Sequence, residues 1–108
     1  MALLNASYSA NQTNAELVAA VAGKLIRIVR ILATFEASGT FKLISSPGQP
    51  YAADLTGLLY LGAGSLIQMD LGRAQGLVTE RGKALGYTSN IGGASKGQGL
   101  MIWYELID

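Results

Sequence analysis

The sequence predicts an all-β chain, folded as a single β-sandwich or jelly-roll-like domain with an extended N-terminal arm, and three observations predict it. Turn residues punctuate the chain at short intervals: Gly23-Lys24, Ser38-Gly39, Ser46-Pro47-Gly48-Gln49-Pro50, Gly62-Ala63-Gly64, Gly72, Arg81-Gly82 and Gly92-Gly93. The segments between them are of strand length and rich in β-branched and aromatic residues. At 108 residues the chain is large enough to close one hydrophobic core and too short to divide into two.

Residues 1–14 mix Asn, Ser, Ala, Gln and Thr with Leu3, Leu4 and Tyr8 and show no clean period, which reads as an arm or a loosely attached first strand. The sandwich domain is assigned to 15–108. Residues 16–36, ELVAAVAGKLIRIVRILATFE, are the longest apolar tract, and helix and strand readings compete there. As a helix, Leu17, Val21, Leu25, Ile28 and Leu32 form a stripe opposite Arg27 and Arg30, but Lys24 falls within the stripe and Gly23 interrupts it. As strands, Gly23-Lys24 turns between 17–22 and 25–35, and Ile26, Ile28, Val29 and Ile31 supply the residues that sheets favour. The strand reading is preferred.

Further strands are expected at 40–45, 58–61, 66–71, 77–78, 84–88 and 100–107. The Pro47 to Pro50 loop is one that no helix would cross. The last strand alternates, with Leu100, Ile102, Tyr104 and Leu106 on one side and Met101, Trp103, Glu105 and Ile107 on the other. Both sides are largely apolar, so this strand is expected to be central or shared with a neighbouring subunit. The Gly-rich stretch 92–99 is the expected mobile loop.

Composition narrows the function. Only 14% of residues are charged, against roughly 25% in ordinary soluble domains, which leaves little to dress a monomer's surface and suggests a surface hidden in an oligomer or against a partner. A net charge of +1 provides no long-range field towards nucleic acid or acidic membranes. There is no Cys and no His, which removes thiolate chemistry, disulfides, the commonest metal ligand and the usual general base near neutral pH. The first cation is Lys24 and the apolar stretch 17–22 is too short for a membrane span, so the expectation is a chain neither exported by the usual signal nor membrane-anchored.

No motif points to catalysis, and the chain is read as a non-enzyme without cofactor or metal. The carboxylates Glu16, Glu36, Asp54, Asp70, Glu80, Glu105 and Asp108 are scattered, and solvated positions are expected for them. Gly62-Ala63-Gly64 lacks the remainder of any phosphate-loop pattern and reads as a turn. Arg81-Gly82-Lys83 reads as a solvated hairpin turn with Glu80 weakening its field. Tyr51, Tyr60, Tyr87, Trp103 and Tyr104 are expected in core or subunit packing, because no Arg or Lys interleaves them regularly. The Asn5-Ala6-Ser7 and Asn11-Gln12-Thr13 triplets match a glycosylation acceptor that matters only after export.

The order of pieces carries a resemblance. Gly23-Lys24-Leu25-Ile26-Arg27-Ile28 opens a long strand, Gly39-Thr40-Phe41-Lys42-Leu43-Ile44-Ser45 follows, and Leu58-Leu59-Tyr60-Leu61-Gly62-Ala63-Gly64 forms a strand and turn. Gly76-Leu77-Val78-Thr79 leads into Gly82-Lys83-Ala84-Leu85-Gly86-Tyr87, and Gly99-Leu100-Met101-Ile102-Trp103-Tyr104-Glu105 closes the chain. From residue 15 to 107 this resembles the small β-sandwich structural proteins of tailed phages, a group that includes capsid decoration or cement proteins and some tail or fibre components. Leu77 stands where the group often has an aromatic, and the Gly-rich loop replaces an apolar run before the last strand.

The resemblance implies a homodimer or homotrimer on the outer surface of a phage head, made in the host cytoplasm, bound to the major capsid protein at joints between coat subunits. It implies no direct contact with nucleic acid or membrane. In that setting the arm is expected to order on binding, with Leu3, Leu4 and Tyr8 as anchors and Trp103 as a further contact, and deletion of 1–14 is expected to weaken binding without unfolding the sandwich. The alternatives are a tail or fibre module binding a host receptor or glycan through Tyr51, Trp103 or the 92–99 loop, and a membrane-active helix over 16–36.

Overall fold

The computed structural model describes residues 1–72, 77–92 and 96–108, and among these the chain forms ten strands and no helix. In chain order they are β1 (Ala2–Tyr8), β2 (Ala15–Val18), β3 (Leu25–Phe35), β4 (Gly39–Ser45), β5 (Ala53–Asp54), β6 (Leu59–Leu61), β7 (Leu66–Asp70), β8 (Leu77–Val78), β9 (Leu85–Ile91) and β10 (Gln98–Ile107). Two antiparallel sheets pack face to face. The first runs β1-β10-β3-β7, with β8 also on β3, and the second runs β2-β9-β4-β5, with β6 also on β4.

The contested tract is strand. Gly23 takes a left-handed φ of 76° and Lys24 N–H bonds back to the Val21 carbonyl at 3.0 Å, closing a turn that separates β2 from β3. A helical stripe over 16–36 is thereby ruled out, because β-branched residues on both sides of Arg27 and Arg30 find partners on two sheet neighbours.

β3 contains an irregularity that alternation alone does not show. Ile28 pairs with Tyr104 and Arg30 with Trp103, so Val29 is an extra residue in β3, a β-bulge. Ile26 and Ile28 face the core before it; Ile31, Ala33 and Phe35 face the core after it. The Val29 carbonyl accepts from Leu71 N at 2.8 Å, at the point where the neighbouring edge breaks between β7 and β8.

The first fourteen residues, expected as an arm or a loosely attached strand, contain β1, which pairs with β10 in unbroken register from Ala2 opposite Tyr104 to Tyr8 opposite Gln98. The residues after it are pinned to β9. Gln12 N donates to Ser89 Oγ at 3.0 Å, Ser89 N donates to the Gln12 carbonyl at 2.9 Å, and Ile91 N donates to Asn11 Oδ1 at 2.7 Å. The segment without a hydrophobic period is thus held to the strand by its backbone at Gln12 and by the side chain of Asn11.

Across the sandwich a chain of rings joins the two sheets. Phe35 on β3 meets Phe41 on β4 with centroids 5.0 Å apart, Phe41 meets Tyr87 on β9 at 6.2 Å, and Tyr87 stacks on Tyr8 of β1 at 5.9 Å. Tyr87 is fully buried, and its hydroxyl donates to Gln98 Oε1 at 2.5 Å while Gln98 Nε2 donates to the Ala10 carbonyl at 3.1 Å. Burial pushes the Tyr87 phenol from its ordinary 10.0 up to about 12, with Ser89 opposing and Tyr8 adding to the shift.

Between those two values the folded chain retains a proton that the unfolded chain has lost. Stability from this group is therefore full below pH 10 and falls as pH rises towards about 12. A tyrosinate absorbance titration should show one of the five tyrosines ionising last and together with unfolding; ionisation of all five before any loss of structure would contradict the burial argument.

Candidate interaction surface

Each sheet has one face in the core and one turned outward, and the two outward faces differ. On the β2-β9-β4 sheet the alternation that buries Phe41, Leu43, Tyr87 and Ser89 turns Thr40, Lys42, Thr88 and Asn90 out, with Thr40 opposite Asn90 and Lys42 opposite Thr88. Tyr60 joins this face at its edge, 79% exposed and opposite Thr40. Lys42 is held by Asp54 at 3.1 Å. Ile44, in the same phase and opposite Gly86, is buried where Pro47 lies against the sheet, and the rest of this face is an ordinary solvated sheet surface apart from Tyr60.

On the other sheet the outward positions form cross-strand rows of a different character. One row runs Leu3, Trp103, Arg30, Asp70, and the next runs Asn5, Met101, Leu32, Gln68. A third runs Ser7, Gly99, Thr34, Leu66. Beyond the bulge Glu105, Arg27 and Val78 form the next row, with Arg27 Nη1 and Glu105 Oε1 3.0 Å apart, and Ile107 opposite Leu25 ends the face. Leu3 is 46% exposed and Leu66 59%, while Trp103, Met101 and Leu32 are half-buried among their neighbours.

Trp103 is held flat by Arg30, whose guanidinium carbon lies 4.8 Å from the ring centroid. The regular ladder from Phe35 opposite Gln98 sets Arg30 opposite Trp103, and the bulge at Val29 follows directly after that pair. Gly99 leaves the face open beside Met101, and an open depression of about 450 Å³ forms there between Asn5, Ser7, Leu32, Thr34 and Met101. An apolar patch with one rigid aromatic, bordered by Asn, Ser, Thr and Gln, has the makeup of a protein-contact surface: an anchor with a polar rim.

The four predicted contact residues separate into two pairs. Leu3 and Trp103 are cross-strand partners on the outward face. Leu4 and Tyr8 alternate the other way and pack against the core, so they hold β1 to the sandwich and are not surface anchors. Met101 and Leu32 complete the patch and were not singled out; the apolar character of both sides of the last strand was their signal.

The remaining candidates are occupied. Arg81 Nη1 donates to the Gly23 carbonyl at 2.8 Å and Lys83 Nζ sits 4.1 Å from the Tyr51 ring centroid, so both cations of that turn have partners. Lys83 also occupies a face of the ring proposed for glycan stacking. Gly62 N donates to Ser65 Oγ at 3.0 Å within a plain turn. Lys24 binds Asp108 and, by hydrogen bond and charge, holds that carboxyl below its ordinary value. Among the described residues no group of three or more acidic side chains gathers as metal ligands would. Of the 92–99 loop, residues 93–95 lie outside the described residues. Comparisons of the chain with protein families, with curated proteins and with solved structures found no match.

Proposed function

We propose that this chain is a virion structural protein that decorates the outer surface of a phage head, seating the outward face of the β1-β10-β3-β7 sheet on the coat at joints between its subunits. The observation that carries the reading is the contrast between the two outward faces: Leu3, Trp103, Met101 and Leu32 on one, Thr40, Lys42, Thr88 and Asn90 on the other. A low charge content and the resemblance of the strand and turn order to phage sandwich proteins support the same reading.

Mechanically, each copy contributes a small dry contact around Trp103, and a lattice of many copies sums those contacts along the joints of the shell. The function requires placement in number and no turnover. Chemistry of the contact follows from its residues: an apolar groove on the coat accepts Trp103 and Met101, and hydrogen-bonding groups at its margin meet Gln68 and Thr34.

The test is quantitative mass spectrometry of purified particles, with the 11.3 kDa chain measured against the major coat protein. A ratio fixed near a simple fraction of the coat supports decoration; a few copies per particle supports the tail or fibre alternative, and absence from particles ends both. Replacement of Trp103 by Ala is expected to weaken coat binding by roughly 30-fold or more, the loss typical of a central aromatic anchor. Lys42→Ala, on the polar face, should leave binding unchanged.

A further inference from the structure

The sandwich has four lateral edges, and three of them are blunted. The edge opposite β1 in the same sheet is broken into β7 and the two-residue β8 and carries Asp70. In the second sheet one edge is β2, four residues long with a register shift and Glu16, and the other is divided between two-residue β5 and three-residue β6. Short strands, breaks and charges are the usual means by which a sheet avoids pairing with another chain.

β1 has none of these. Its seven residues, Ala-Leu-Leu-Asn-Ala-Ser-Tyr, contain no charge and no Pro, keep an unbroken register with β10 on one side, and among the described residues have no strand on the other. In an antiparallel strand alternate residues direct both N–H and C=O to opposite sides, so about half of β1 offers a donor and an acceptor to the open edge.

The segment is also complementary to itself. An antiparallel pair of β1 strands about a two-fold axis at Asn5 sets Asn5 against Asn5, Leu4 against Ala6, Leu3 against Ser7 and Ala2 against Tyr8. Each apolar pair then sets a large residue against a small one, no like charges meet, and the two central amides can bond each other.

We infer that β1 is the homodimer edge of this protein: two copies pair their β1 strands antiparallel about Asn5, joining two five-stranded sheets into one of ten. The inference deepens the decoration reading and rests on it only for the use of the joined surface, where the two Leu3, Trp103 and Met101 patches flank the axis on one continuous face. Edge pairing of this kind is isologous and closes at two copies.

The chain has no Cys, so a single introduced one reports its own neighbours. Asn5→Cys places two thiols on the axis, where opposed Cα atoms lie about 4.5–5.5 Å apart, within the range a disulfide spans. Leu66→Cys, on the exposed opposite edge, is the control. Under mild oxidation the first should form a covalent dimer roughly tenfold or more faster than the second, since only axial cysteines meet in the preformed pair.

Sedimentation should show a dimer for the unmodified chain. Asn5→Lys, which sets two ammonium groups against each other, should give a monomer with an unchanged far-ultraviolet circular dichroism spectrum. A monomeric or trimeric unmodified chain, or equal cross-linking of the two cysteine variants, overturns the inference. A monomer found at a fixed ratio on particles sinks the dimer and leaves decoration standing; a dimer that never accompanies particles does the reverse.

Discussion

Replacing Phe41 with Ala should destabilise the fold by about 3–5 kcal/mol, a large part of the 5–15 kcal/mol that holds an ordinary domain together. Phe41 is fully buried at the centre of the ring chain, touching Phe35 of the opposite sheet on one side and Tyr87 of its own on the other. Its removal leaves a hole between two β-sheets whose backbones are fixed by their ladders and relax little. Phe41→Leu keeps most of the volume and should cost much less, about 1–2 kcal/mol. Urea unfolding checks both: the midpoint should fall sharply for Ala and slightly for Leu at an unchanged slope. Equal midpoints for the two variants would mean that the rings are neighbours without being the joint between the sheets.

Deleting residues 1–9 should be comparably damaging, about 3–6 kcal/mol, because Leu4 and Tyr8 cover the core and β1 closes the long edge of β10. This departs from the expectation that the segment is dispensable to folding. The truncated chain should show an early, broad loss of Trp103 fluorescence on heating and a tendency to associate through the bared β10 strand. A truncated chain that melts with the cooperativity and midpoint of the intact one would return β1 to the status of an arm.

Much of this architecture was legible because its signals are local. Gly23 marks the one turn that the long apolar tract needs, and the β-branched run after it makes β3 a strand from Leu25 to Phe35. Strict alternation separates Leu100 and Ile102 from Met101 and Trp103, and the fold then puts the first pair in the core. What escaped has physical reasons. β1 alternates Leu4, Ala6 and Tyr8 against Leu3, Asn5 and Ser7, and small residues on both sides blur a period of two. β5 has two residues, below any pattern, and β2 stops at Val18, short of the expected end at 22.

The candidate surface was half visible. Leu3 and Trp103 lie on the outward face, whereas Leu4 packs against the core, because consecutive residues of a strand cannot share a side. Met101 and Leu32 become a patch only when β10 lies beside β3, a pairing across some seventy residues that no local pattern specifies. The Arg30 and Trp103 stack, and the bulge at Val29 next to it, are set by that same long-range pairing.

Val29 also determines which kinds of genetic change this region can absorb. On one side of it even-numbered residues, Ile26 and Ile28, face the core; on the other side odd-numbered ones do, Ile31, Ala33 and Phe35. The bulged residue acts as a phase shift in the strand's reading of inside and outside. Removing Val29 would leave Ile26, Ile28, Ile31, Ala33 and Phe35 in strict alternation and erase the bulge, exchanging it for Ile or Thr keeps the bulge, and adding a residue would give β3 a second surplus position against β10. Lineages of this protein should therefore absorb the loss of one residue here more readily than the gain of one, with insertions confined to the turns on either side.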